Sequence, residues 1–314
     1  MVRIVAFRLV AAVITLLVAS VVVYGAIYVA PGSPLSFLIG GHGATRQVIR
    51  QIEAEYHLND SFPVAYVRWL GNGVHGNFGT SLVQHQSVSS LIEPRLTTTL
   101  FLVAYAALLI FVFGIGSGLL AALRPRRVGG AVVLVTTVAM AIPPFVWAVL
   151  LTTVFAVDLA WFPAIGNGSG FAGGLYHMTL PAVALAMVWL AYLSRITRAA
   201  VDDELGKEYV ETARARGIPE RYVFRKHVLR NAWIPISTVA GITVAGLIAG
   251  DAVIEVAFGL NGIGAYLVQS IEAKDFPVVQ AIMMLLVGIF VVVNTLVDVG
   301  YAVADPRVRT SERR

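Results

Sequence analysis

The 314-residue chain contains no cysteine. That absence excludes thiolate metal centres, thiol nucleophiles, disulfide scaffolds and thiol redox chemistry in this chain. Charge is also scarce. Asp, Glu, Lys and Arg make up 13% of the residues, about half the share usual in a soluble domain. Hydrophobic residues make up 58%, and the mean hydropathy is +0.79. One core cannot hide that much apolar surface, so the excess faces lipid. A cytosolic enzyme and a disordered chain are thereby excluded. No Gly-rich phosphate loop ending in Gly-Lys-Ser/Thr occurs. Gly206-Lys207 lacks both the upstream glycine and the preceding apolar strand. The chain therefore does not bind ATP by that route. The six histidines (His42, His57, His75, His85, His177 and His227) have no paired metal spacing, and none lies in a long apolar run. No Ser-His-Asp set has a recognisable nucleophile context. Neither a metal nor any other cofactor is expected in this chain. The formal charge of +5 points to membrane orientation rather than to nucleic acid.

Long apolar runs are what the sequence has. A bilayer core of about 30 Å needs roughly 20 apolar residues of helix. Six stretches qualify: 9–30, 98–123, 129–155, 179–196, 234–254 and 278–303. Pro143 and Pro144 predict a kink in the third, and Pro181 opens the fourth. The alternation of a membrane barrel is absent. The expected fold is all-α, a polytopic membrane protein with one transmembrane domain over 1–314. The first run is longer than a signal-peptide core and has no persuasive cleavage site, so it reads as an uncleaved anchor.

Basic residues cluster in alternate segments. Arg3 and Arg8 precede the first run; Arg124, Arg126 and Arg127 follow the second. Nine Lys or Arg residues lie between Arg195 and Arg230, and Arg307, Arg309, Arg313 and Arg314 end the chain. Only Arg46, Arg50, Arg68, Arg95 and Lys274 fall elsewhere. The positive-inside rule then places both termini in the cytoplasm of a multi-pass cell-membrane protein.

Residues 31–97 form the expected external loop. Its stretch Arg46 to His57 carries Val48, Ile49, Ile52 and Tyr56 at helical spacing. A packed outer cap and a surface for an external partner are both open readings. Residues 199–233 form the expected cytoplasmic loop, and here charge is concentrated. Asp202, Asp203, Glu204, Glu208, Glu211 and Glu220 face Lys207, Arg214, Arg216, Arg221, Arg225, Lys226 and Arg230 within 31 positions. Glu208 to Arg216 reads as a helix with Tyr209, Ala213 and Arg216 on adjoining positions. Gly217 stops it, and Pro219 opens a second short helix running to about Leu229, with Tyr222, Val223, Val228 and Leu229 as its apolar stripe. A mere connector has no need of so much charge, although a membrane-surface hairpin has the same pattern.

The segment Glu208 to Gly217, EYVETARARG, resembles the cytoplasmic coupling motif of the permease subunits of peptide-type ABC importers, which move dipeptides, oligopeptides and in some members nickel. Glu211, Thr212, Ala213 and Gly217 stand at the motif's Glu-Ala-Ala-x-x-x-Gly positions. His227 to Asn231 matches the His-x-Leu-Arg-Asn run of the peptide-type branch. Further matches are Tyr56 to Leu82, with Asn77 where Asp is common, Ile142 to Trp147, Phe162 to Gly166, Glu255 to Leu267, with Asn261 where Pro is usual, Asp275 to Val279 and Asp305 to Val308.

The resemblance implies a type I ABC importer permease fold of six transmembrane helices with cytoplasmic coupling helices. It also implies four partners besides lipid: a second homologous permease, two cytoplasmic ATPase subunits that bind the ATP, and an extracytoplasmic substrate-binding protein. The implied coupling residues are Glu208, Glu211, Ala213, Arg214, Gly217, Arg221, Tyr222 and Val223. In that role Tyr222 and Val223 seat the loop in an ATPase groove, and Glu211, Arg214 and Arg221 orient it. Candidates along the translocation path are Asp251, Glu255 and Asn294, because polar groups inside a membrane are functional by default. Asp251 and Glu255 share a helix face at the outer end of the fifth run. They suit a cation or amine, or else sit at the interface where water reaches them. The alternatives to an importer of peptides are a permease for nickel or another peptide-like solute, a self-sufficient secondary transporter, and an intramembrane enzyme. The second lacks paired broken helices and the third lacks a histidine within a span.

Overall fold

A computed structural model describes residues 2–29, 60–124 and 126–304, with 47 and 50 as isolated positions. The amphipathic stretch Arg46 to His57, most of the external loop before Asp60, and Asp305 to Val308 lie outside the described residues.

The chain is helical. Among the described residues its helices are α1 (Val2–Val29), α2 (Phe62–Val74), α3 (Val88–Leu109), α4 (Ile115–Leu123), α5 (Arg126–Ala141), α6 (Pro144–Leu151), α7 (Gly170–Leu205), α8 (Glu208–Ala215), α9 (Glu220–Val223), α10 (Leu229–Ala257), α11 (Ile263–Glu272) and α12 (Phe276–Ala304). Single π-helical turns lie at Ile110–Gly114, Thr152–Asp158 and Phe224–Val228. Among the described residues no strand occurs, only an isolated antiparallel bridge between Thr80 and Ser87.

Five helical stretches are long and apolar enough to cross a bilayer: 6–26, 88–123, 170–205, 220–248 and 276–297. Residues 127–141 and 144–158, bent by 104° at their junction, count as a sixth when the pair is taken as one span. The bend exceeds the kink predicted from the two prolines. Pro143 takes extended dihedrals, φ −60° and ψ 150°, and Pro144 opens α6. Two adjacent residues without N–H cannot carry the ladder across, so the helix stops and restarts. Side chains along α1 such as Leu9, Val10, Val13, Ile14 and Val18 are exposed. An apolar surface of that extent suits lipid, not water.

Two compact units are present. One comprises, among the described residues, 2–6, 100–124, 126–260 and 293–304. The long helix α7 is its axis, packed by α4, α5, α6 and α10. Small residues permit this. A Cβ on Gly118 would lie 2.5 Å from the Ser194 carbonyl and from Thr197 Cβ, so only glycine lets α4 approach α7 that closely. Ser117 Oγ donates to Ser194 Oγ at 2.8 Å beside it. On α10, Gly246 lies under the Trp189 ring and Gly241 against Val297.

The other unit comprises, among the described residues, 7–29, 60–99 and 261–292. Val88, Leu91 and Ile92 of α3, Ile263 and Tyr266 of α11, and Val278, Ala281 and Ile282 of α12 form its core. Tyr24 of α1 packs against Phe62, Tyr66 and Trp69 of α2. Ser20 and the Tyr66 hydroxyl lie 2.7 Å apart.

Candidate functional site

The charged segment between α7 and α10 is ordered. Its first seven residues, 199–205, continue α7 instead of forming loop, tied by the i,i+4 pairs Arg198–Asp202 and Lys207–Asp203. The hydrogen bond to Asp203, then its charge, raises the Lys207 pKa above its ordinary value. Helix α8 begins at Glu208. Glu208 and Glu211 occupy its first turn and Arg214 its last, the arrangement that complements the helix dipole. It ends in a left-handed cap. Gly217 has φ +74°. Gly217 N–H donates to the Arg214 carbonyl at 2.9 Å and Ile218 N–H to the Ala213 carbonyl at 3.2 Å. Those two bonds define a Schellman motif, which a residue with a Cβ enters only under strain.

Val210 and Ala213 are buried against the core of the first unit, as are Val223 and Val228 further on. Glu208, Glu211, Arg214 and Arg221 are exposed, and Tyr222 is 52% exposed. Val223 is fully buried. It is therefore not available to seat the loop in a partner's groove and serves instead to hold α9 to its own bundle. Arg214 is engaged with Glu220 at 2.8 Å, an exposed pair worth little by itself. Pro219, Arg221, Tyr222, Arg225 and Lys226 line an open groove of about 580 Å³.

The second helix does not stop near Leu229. It passes through the π turn Phe224–Val228 directly into α10. The hydrophobic stripe permits this because Val223 and Val228 both point inward, and the wider π turn absorbs the extra residue between them.

Tyr209 joins three elements. Its hydroxyl donates to the Glu204 carboxylate at the end of α7 and accepts from Asn231 Nδ2 at 2.9 Å, in the first turn of α10. Asn231 gives its second hydrogen to the His227 carbonyl, also at 2.9 Å. Burial, then the bond to Glu204, raises the Tyr209 pKa. The sequence placed Tyr209 on the loop helix but carried no sign of this junction, because Asn231 is 22 positions away.

Asp251 and Glu255 lie on α10, and both are buried, Asp251 at 2% exposure and Glu255 at 0%. Both side chains are closed off from the surface of the chain. Among the described residues, no donor other than the neighbouring Glu255 carboxyl reaches the Asp251 carboxylate. Asn294 on α12 is half-buried. Among the described residues no group of three or more His, Asp or Glu could hold a metal.

A polar cluster in the second unit escaped sequence reasoning. Asp275 accepts from the Ser81 hydroxyl and from Leu82 N–H. The Arg95 guanidinium lies 4.0 Å from the centre of the Tyr266 ring. Thr99 Oγ1 receives the Ile263 N–H at 2.9 Å, capping α11. Ser81 and Asp275 are 194 positions apart, so no spacing rule pairs them.

Residues 111–310 match the family described as binding-protein-dependent transport system inner membrane component. Residues 1–103 match its N-terminal region. A probable peptide ABC transporter permease protein of Sinorhizobium fredii is 34% identical over 306 residues, 96% of this chain and 97% of that one. The glutathione transport system permease protein of Escherichia coli K12 is 35% identical over 303 residues, with the same coverage. A putative peptide transport system permease protein of Brucella abortus is 36% identical over 306 residues, again 96% and 97% of the two chains. Among solved structures, the inward-facing methionine ABC transporter MetNI aligns with TM-score 0.54 and 20% identity, covering 68% of this chain and 96% of that one. That last likeness is one of fold.

Proposed function

Since the chain belongs to the family of binding-protein-dependent transport system inner membrane components, it is a multi-pass membrane transport subunit and not an enzyme, and we propose that it forms half of the translocation pathway of an ATP-driven importer for peptides or peptide-like solutes. Its partners are a second, homologous permease, two ATPase subunits that bind the ATP, and an extracytoplasmic binding protein that delivers the cargo. Both termini lie in the cytoplasm, the side on which the basic segments cluster.

The observation that carries this reading is the segment α8–Gly217–α9. It is a short charged helix, α8, with a buried inner stripe and a left-handed cap, followed by α9, which runs without a break into the membrane helix α10. A helix of that kind transmits a rigid displacement. Closure of an ATPase pair moves the groove in which the helix sits, and α8 and α9 carry the motion to α7 and α10. Glu208, Glu211, Arg221 and Tyr222 meet the ATPase; Ala213 and Val223 hold the loop to the bundle. Gly217 supplies the turn, and Arg214 braces it through Glu220. Rocking of two such bundles gives alternating access. The polar groups of the path are Asp251, Glu255 and Asn294; the Asp251–Glu255 pair is buried in this state and meets a cargo ammonium only when α10 moves to open the path.

The test is affinity purification from native membranes in mild detergent, wild type against Glu211→Ala. ATPase subunits and a second permease accompany the wild type, and the variant retains less of the ATPases. Gly217→Val, which places a β-branched residue at positive φ, retains ATP hydrolysis and loses uptake of labelled trialanine or glutathione. A wild-type chain that purifies alone would reject the importer reading in favour of a self-sufficient transporter.

A further inference from the structure

We infer that the Tyr209 hydroxyl is the positioning group that makes α8 move as one body with the ends of α7 and α10, so that it transmits ATPase motion without touching cargo or nucleotide. This rests on the coupling role proposed for the loop. Helix α8 is short and has a glycine beyond each end, Gly206 and Gly217. Its buried contacts, Val210 and Ala213, are small and resist sliding weakly. Directional restraint comes from polar bonds, and they converge on one atom. Tyr209 Oη donates to Glu204 on α7, with the His227 carbonyl at 3.4 Å as a second, longer acceptor, and takes a hydrogen from Asn231 on α10. Asn231 is itself held by the His227 carbonyl in the π turn. The donor inventory closes: the phenol has one hydrogen, the amide has two, and each has a recipient. The rings of Tyr209 and Tyr222 flank that of His227, with centroids 6.3 and 6.1 Å away. The junction therefore joins both flanking membrane helices and the outward-facing side of α9. Without the hydroxyl, α8 stays attached through its apolar stripe yet pivots between its glycines, and the displacement is dissipated there.

The experiment uses the whole complex, purified with its ATPases, and needs no knowledge of the cargo. Hydrogen–deuterium exchange of peptides covering Ile234 to Ala257 is compared with and without ATP plus vanadate. Tyr209→Phe and Asn231→Ala are expected to retain the ATPases and to hydrolyse ATP within about twofold of wild type. Each should lose at least half of the ATP-driven exchange response in α10. The double variant should lose no more than either single, because the two residues act as one unit. A full response in Tyr209→Phe overturns the inference. So does loss of the ATPases from that variant, which would make Tyr209 a docking residue. A wild-type complex without ATPases, or with no ATP response, rejects instead the coupling role on which the inference rests. Should Asn231→Ala fail to assemble, Tyr209→Phe with Glu204→Gln decides the matter.

Discussion

Single atoms decide how closely this bundle packs and how its charged loop is held. Gly118 shows the first. A methyl group there would overlap the Ser194 carbonyl and Thr197, whereas at Gly116, two residues away, it would meet nothing within 4 Å. Gly118→Ala should therefore destabilise the detergent-solubilised protein by about 1–3 kcal/mol, and Gly116→Ala should stabilise it slightly, by up to about 1 kcal/mol. Thermal unfolding of the two side by side checks this, and equal midpoints would contradict the packing argument. Tyr209 shows the second. Its pKa is raised above 10.0 by burial and by the Glu204 bond. The folded state thus holds the phenolic proton more tightly than the unfolded chain does. The stability so gained is complete below the unfolded pKa and is lost only as pH rises through the folded one. Between about pH 6 and 9 the phenol remains a donor. The ratio of ATP-driven exchange responses, wild type over Tyr209→Phe, should be flat across that window; a slope within it would assign the hydroxyl a different role. Asp251 belongs at this scale too. Asp251→Asn should leave ATPase retention intact and lower uptake of a labelled peptide with a free amino terminus more than that of its acetylated form. Equal effects on both would remove Asp251 from the path.

Among the elements, the π turn Phe224–Val228 has a specific consequence. An α-helix advances about 100° per residue. Deleting Lys226 would close the turn and rotate α9 about α10 by roughly that angle, taking Val223 out of the core and turning Tyr222 toward it. The deletion variant should insert into the membrane yet purify without ATPases; retention at the wild-type level would show that the register of α9 is immaterial. The helical character of this segment was legible in the sequence, since Gly217 and Pro219 mark a stop and a start. Its continuity with α10 was not. A π turn has no residue signature, and the choice between a hairpin arm and an unbroken helix depends on where Val223 and Val228 find a core. The α5–α6 break has the same lesson: adjacent prolines announced a bend, but its 104° depends on packing against α7 and α10.

For the molecule as a whole, orientation and partnership are testable without interference, because the chain has no cysteine of its own. His85→Cys should react with a membrane-impermeant maleimide from outside the cell, and Lys207→Cys only after the membrane is opened. The reverse pattern would invert the topology. Hydropathy, charge asymmetry and local motifs by themselves determined that the chain is helical, resides in a membrane, lacks an ATP site of the phosphate-loop kind and carries a charged segment resembling a coupling motif. These are sums over composition or patterns within a few turns of helix, and they survive without knowledge of long-range contacts. Only the tertiary structure decided which residues of that segment face a partner and which face home. Tyr222 and Val223 are neighbours of similar apolar character, yet one is half exposed and the other fully buried. It alone joined Tyr209 to Asn231, buried the Asp251–Glu255 pair, and brought Ser81 to Asp275. Burial and hydrogen-bond partnership depend on what the chain brings back from far away, and no local rule encodes that distance.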